Sequence, residues 1–355
     1  MKLPIVIKPF VTSECFTFSK FAVMQNSPSF PMWAIRNFKL YLDIYGESSY
    51  GEIDSYGLSH FENFLDIKDC KMLNVSIDKF IDYIIDKIDN GYYIIVDVDY
   101  NFLINAVFNL ELSEPGVHEV LIYGYDNDKK VFFVPVLYKG IFREVTVDFN
   151  ILKKAYSVQF TEYQADKSNL FFRRYYFFGM TAIKIKDNYS SANIMYDFIV
   201  RLGYEAKGKI VEISDFDENE KLSNTYKYST GVSCLKYLSN IITNYILYPE
   251  EFNIYKILNS CLKISEYHNI LYSCIEWFLS QFNIIDNILL EKINEYHECC
   301  KKAEQILFMS EKYKLTQKKE LLVNISKKLE ILYKKEKPLF VEIANLAQDI
   351  CIELE

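Results

Sequence analysis

Two hydrophobic periods divide the chain. Up to about residue 186, short apolar runs alternate with turn residues; from about residue 190, apolar positions recur every three or four residues. In the first part, residues 15–24 predict a helix opened by the N-cap residues Thr12 and Ser13, with Glu14 near the positive end of its dipole. Residues 33–42 predict a second helix, with Pro31 in its first turn. Apolar residues at 77, 80, 81, 84, 85 and 88 define one face of a third, which stops at Asn90-Gly91. A buried strand is then expected over 92–98, with further strands over 144–147 and 169–185.

In the second part, Ile293, Tyr296, Cys300, Ala303, Leu307 and Ser310 share one helical stripe, and Leu322, Ile325, Leu329 and Leu332 another. Pro338 is expected to interrupt the last helix, and the polar, acidic stretch 213–228 to form a loop. The pattern predicts an α+β protein, with antiparallel strands on helices over residues 1–186 and an all-helical domain over 187–355.

Composition narrows the partners. Of 355 residues, 50% are hydrophobic and 16% aromatic, enough for a sizeable core and against disorder. A net charge of −8 disfavours nucleic acid and suits a cationic small molecule such as an amine. No apolar run reaches eighteen residues, so no membrane span is expected. The first residues lack the apolar core of a secretion signal, and the eight cysteines form no regular framework. Reduced thiols in a cytoplasmic protein are the expectation.

The chemistry centres on one cysteine and one histidine. Cys15 stands at a helix start, where unpaired backbone N–H groups and the helix dipole stabilise a thiolate. His118 enters an apolar β-run that ends in the turn Gly124-Tyr125-Asp126-Asn127-Asp128, and a second run, Val131-Phe132-Phe133-Val134, follows at once. An imidazole on such a hairpin can take the thiol proton and return it to a leaving group, the requirement for covalent acyl transfer. Cysteine first and hairpin histidine later is the chain order of papain-like thiol enzymes. A plain reading of the same residues is a buried small hydrophobe and a turn histidine.

The run from Gly91 to Tyr100, the hairpin from His118 to Asp128, and Val145 followed by Leu152-Lys153-Lys154-Ala155 together resemble the butirosin-pathway acyltransferase family. That resemblance implies a papain-like, transglutaminase-like N-terminal domain that moves an acyl group from a carrier-protein thioester to an amine. Residues 303–332 are also similar to helical tails in relatives from nonribosomal assembly lines. An amide-forming enzyme of the closthioamide pathway is another resemblance. The implied partners are an acyl or peptidyl carrier protein and a small amine. No cofactor is implied beyond the phosphopantetheinyl arm that carries the donor.

One departure stands out. The family usually places an aspartate or asparagine on the strand after the turn, opposite the histidine. Here that place falls near Pro135, and no carboxylate or amide side chain occurs from Lys130 to Lys139. The expectation is that the Pro135 carbonyl orients His118, which fixes the tautomer but stabilises an imidazolium less than a carboxylate does. The Cys15 backbone N–H is the natural first oxyanion donor, and residues 9–14 offer no glutamine for the second.

Other residues were weighed for chemistry. His297-Glu298-Cys299-Cys300 has no companion ligands at metal spacing, so no metal is expected. His60 and His268 read as solvated or satisfied polar residues. Asp97 and Asp99 read either as a carboxylate pair for an amine or as one polar face of a strand. From Lys301 to Lys337, eleven lysines face five glutamates, which suits an acidic carrier protein or simply a solvated helix. The aromatic residues of 92–178 are candidates to line a dry acyl tunnel. With the same nucleophile, hydrolysis by a cysteine peptidase or thioesterase is the alternative, and a silent carrier-binding module is a third.

Overall fold

The computed structural model describes residues 1–13, 15–43, 53–54, 61–71, 76–111, 116–138, 141–165, 179–186, 189–190, 193–216 and 222–354. Helices α1 (Cys15–Met24) and α2 (Phe30–Asn37) precede two short strands, β1 (Tyr41–Asp43) and β2 (Ile53–Asp54). One helical turn, α3 (Phe61–Phe64), leads into β3 (Leu65–Lys71), and a 3-10 turn (Ile77–Lys79) into α4 (Phe80–Asp89). Strand β4 (Tyr93–Asp99), helix α5 (Tyr100–Phe108) and strand β5 (Val117–Ile122) follow. Then come β6 (Gly124–Asp126), β7 (Val131–Tyr138), β8 (Ile141–Asp148), α6 (Phe149–Ala165) and β9 (Gly179–Ile185). The remainder is α7 (Ile194–Lys207), strands β10 (Ile210–Phe216) and β11 (Leu222–Thr230), and helices α8 (Ser233–Leu247), α9 (Ile254–Gln281), α10 (Asn287–Thr316) and α11 (Lys319–Leu354). The fold is α+β: antiparallel sheets with helices come first, and an all-helical stretch ends the chain.

Two compact units emerge. One is Met1–Phe30 with Phe61–Tyr189, the other Pro31–His60 with Ser190–Glu355. Residues 31–60 thus group with the C-terminal part, whereas the division expected at 186/187 kept them in the N-terminal one. Pairing of β1 with β11, Tyr41 opposite Thr230, accounts for the difference.

In the first unit, an antiparallel sheet of order β3-β9-β4-β5 adjoins a second of order β6-β7-β8. All seven residues of β4 are buried. Ile94, Val96, Val98, Val120 and Ile122 face a core shared with Phe80, Ile84 and Ile88 of α4 and Leu152 and Tyr156 of α6. Each fully buried side chain of this size contributes about 1.5–3 kcal/mol, so this face fixes the register of β4 and β5. Helix α4 ends as expected: Gly91 takes φ +80°, and its N–H donates to the Ile88 carbonyl at 2.9 Å. The opposite face carries Ile95, Asp97, Glu119 and Leu121. Helix α1 lies against β5, and the charge of its Lys20 acts on Asp97 and Glu119.

In the second unit, a sheet of order β10-β11-β1-β2 accompanies helices α7 to α11. Three expectations are corrected here. The helix expected over 33–42 ends at Asn37, whose side-chain amide donates to the Trp33 carbonyl at 3.0 Å. Residues 213–228, expected as a loop, belong largely to the β10–β11 hairpin; ladder pairing satisfies the backbone whatever the polarity of its side chains. Pro338 does not interrupt α11, which runs through it. Pro338 is exposed and removes one ladder bond, while packing of α11 on α10, α8 and α7 holds the helix. Leu322, Ile325, Leu329 and Leu332, the expected stripe, are all fully buried.

Candidate thiol–imidazole site

Cys15 is the first residue of α1, as expected, but its thiol and Glu14 lie outside the described residues. Helix α1 packs on β5, so the cysteine's helix and the histidine's strand meet within one unit. His118 is the second residue of β5, opposite Val98 of β4, and is half-buried. Its ring packs against Tyr100, tilted by 37°, at 4.8 Å between centroids. Its Nδ1 lies 2.9 Å from the Glu119 carbonyl oxygen. A carbonyl only accepts, so Nδ1 carries the proton and Nε2 keeps the lone pair. Nε2 has no partner among the described residues. Strand alternation sets His118 with Val98 and Val120, and Glu119 on the face where Lys20 of α1 reaches it.

Pro135 does not meet the imidazole among the described contacts. It is buried in β7, opposite Glu144 of β8, and the carbonyl that orients His118 is Glu119's. Tyr123 alone separates β5 from β6, and there the chain passes from one sheet to the other. Gly124 pairs with Phe133, so Pro135 lies two residues beyond that rung on β7 whereas His118 lies six before it on the other strand.

The Gly124-Tyr125-Asp126 turn has scaffolding duties. A Cβ at Gly124 would meet the Met1 carbonyl oxygen at 2.7 Å, because the N-terminal residues cross there. The Leu3 N–H donates to the Tyr123 carbonyl at 2.8 Å, and the Tyr125 N–H to that of Met1 at 2.9 Å. The Tyr125 hydroxyl donates to Asp89 at 2.7 Å. Asp126 accepts from the N–H groups of Asp128 and Lys129, closing the turn.

Asp97 and Asp99 part company. Asp99 caps α5, accepting from the N–H of Phe102 at 3.1 Å and of Gly116 at 3.3 Å. Asp97 instead stands opposite Glu119. Burial, and then the neighbouring Glu119, hold the Asp97 carboxyl well above its usual range, while Lys20 opposes them. Burial raises Glu119 too, against the pull of Lys20 and His118. Sequence reasoning missed Glu119 and Lys20: a lone charge on an apolar strand or helix reads as solvent-facing until its partner across the sheet is known.

Elsewhere, His268 is a satisfied polar residue, buried between the Ile264 carbonyl and Glu336, and His297 stacks on Tyr272 at 4.5 Å. His60 lies outside the described residues. Among the described residues no group of three or more His, Cys, Asp or Glu converges, and no helix is long and apolar enough to cross a membrane. In the region expected to line a tunnel, Phe108 stacks on Tyr138 and Phe132 packs on Phe149; residues 166–178 lie outside the described ones. The class defined so far is an α+β protein in which the helix that begins at Cys15 packs on the strand that carries His118. Neither models of known protein families nor curated protein sequences match this chain.

Proposed function

We propose that the protein is a cysteine-dependent acyltransferase with a papain-like first unit, forming an amide from a carrier-bound acyl thioester and a small amine. The tautomer of His118 is the observation that carries the reading. With its Nδ1 proton engaged by the Glu119 carbonyl, Nε2 is the nitrogen free to act as a base.

The steps follow from those groups. His118 Nε2 takes the Cys15 proton, and the thiolate attacks the acyl thioester, with the Cys15 N–H as first oxyanion donor. The carrier's thiolate leaves and accepts the proton from His118. The amine then attacks acyl-Cys15, gives its proton to His118, and the Cys15 thiolate departs. Thioester exchange is nearly neutral in energy and amide formation is downhill, so no nucleotide is consumed. Exposed lysines of α10, α11 and the link between them, among them Lys312, Lys318, Lys319 and Lys327, suit an acidic carrier surface.

A second reading has one observation in its favour. Alternation groups His118 with Val98 and Val120, apart from the face on which Lys20 acts, as suits a silent carrier-binding module. The readings separate when the protein is charged with an acyl N-acetylcysteamine thioester and split between amine and buffer. Amide product with recovery of free enzyme supports acyl transfer. Free acid alone makes it a hydrolase, and unreacted thioester makes it a binding module.

A further inference from the structure

In the first unit, apart from the proposed chemistry, a buried aspartate and a half-buried glutamate form an acid pair with one base acting on both among the described residues. Asp97 of β4 and Glu119 of β5 are directly opposed across the sheet. Such cross-strand neighbours have Cβ atoms about 4.5–5.5 Å apart. Asp97 is 2% exposed, and Oδ1 of Asp97 and Oε2 of Glu119 are sealed from solvent with no hydrogen-bond partner among the described residues. Two carboxylates this close in a dry setting cannot both be charged. Lys20 of α1, also buried, supplies one positive charge. One proton on the pair then leaves one carboxylate for the Lys20 charge to act on.

We propose that Asp97 and Glu119 share a single proton and, with Lys20, form the joint that holds α1 on β5, positioning the helix that begins at Cys15 against the strand that carries His118. The positioning role rests on the acyltransferase reading; the shared proton does not. Lys20 from α1 is the charged group on the pair's own face, His118 acts on Glu119 from the other face of β5, and Asp99 of β4 is engaged by two backbone N–H groups. An unfolded chain releases carboxyl protons near pH 4, whereas the folded pair keeps one to higher pH. Folded protein therefore binds the extra proton, and stability falls as pH rises from that value through the folded one. Above it, a second buried carboxylate faces the first and α1 loosens.

Glu119→Gln removes the need for the proton while keeping shape and hydrogen-bonding capacity; Asp97→Asn is its control on the other strand. Thermal midpoints of the full chain from pH 5 to 9 are expected to fall with pH in the wild type. Both variants flatten that fall and sit at least about 3 °C above the wild type at the alkaline end. The rate of acyl-enzyme formation shows an alkaline decline in the wild type that Glu119→Gln abolishes. Parallel midpoint curves for wild type and both variants overturn the shared proton. A flattened curve with an unchanged alkaline decline overturns the positioning role. A wild type that never acylates counts against the acyltransferase reading, and the midpoints then judge the shared proton on their own.

Discussion

The imidazole Nδ1 of His118 lies 2.9 Å from the carbonyl oxygen of its own chain neighbour, Glu119. A contact between adjacent residues depends on local backbone and survives small shifts of the sheets. In the neutral ring the proton should therefore sit on Nδ1. Nitrogen NMR of the labelled protein is expected to show that tautomer for His118. A ring protonated on Nε2 would remove the base from the proposed mechanism.

His268 and Glu336 form a buried pair in the second unit, Nε2 to Oε1 at 2.9 Å, with Nδ1 held by the Ile264 carbonyl at 2.7 Å. Both ring nitrogens thus face acceptors. Burial opposes the charged ring, but Glu336 and the Ile264 carbonyl outweigh it and raise the histidine above its ordinary range. The raised value makes the pair's stabilisation complete below about pH 6.5 and lost as pH climbs through the folded value. Glu336→Gln should cost about 3 kcal/mol in denaturant titrations at pH 6, with a smaller loss at pH 9. An equal loss at both pH values would show that the ring does not change charge between them.

Gly124 permits a close crossing by the N-terminal residues, whose Lys2 also bonds Glu144 at 2.6 Å. Gly124→Ala should destabilise the protein by about 1–3 kcal/mol, as other overpacked sites do. Removing residues 1–3 should destabilise by itself, and the alanine should then add little. Additive losses in thermal unfolding would mean that the crossing is not what Gly124 serves.

Local pattern revealed α1, α4, β4 and the helices of the tail, because each is specified by near neighbours: an N-cap, a stripe such as Phe80, Ile84 and Ile88, a stop at Gly91. Strand β1 was hidden, since Tyr41 pairs with Thr230 from the far end of the sequence. Polar composition hid the hairpin of β10 and β11 for a related reason, as ladder bonds are indifferent to side-chain polarity. At the candidate site, Cys15 and His118 carried their own signals in a helix start and a hairpin. Counting across a turn points to Pro135, but the register, with Gly124 opposite Phe133, sets Pro135 well short of His118. Glu119 and Lys20 gave no signal, because their meaning lies in a neighbour on another element.

Intact-mass measurement after mixing the protein with an acyl thioester tests the central claim most directly. The account predicts one acyl mass, mapped to the peptide holding Cys15, absent in Cys15→Ala and slowed at least about 100-fold in His118→Ala. An acyl mass that persists in Cys15→Ala, or none on the wild type, would contradict it.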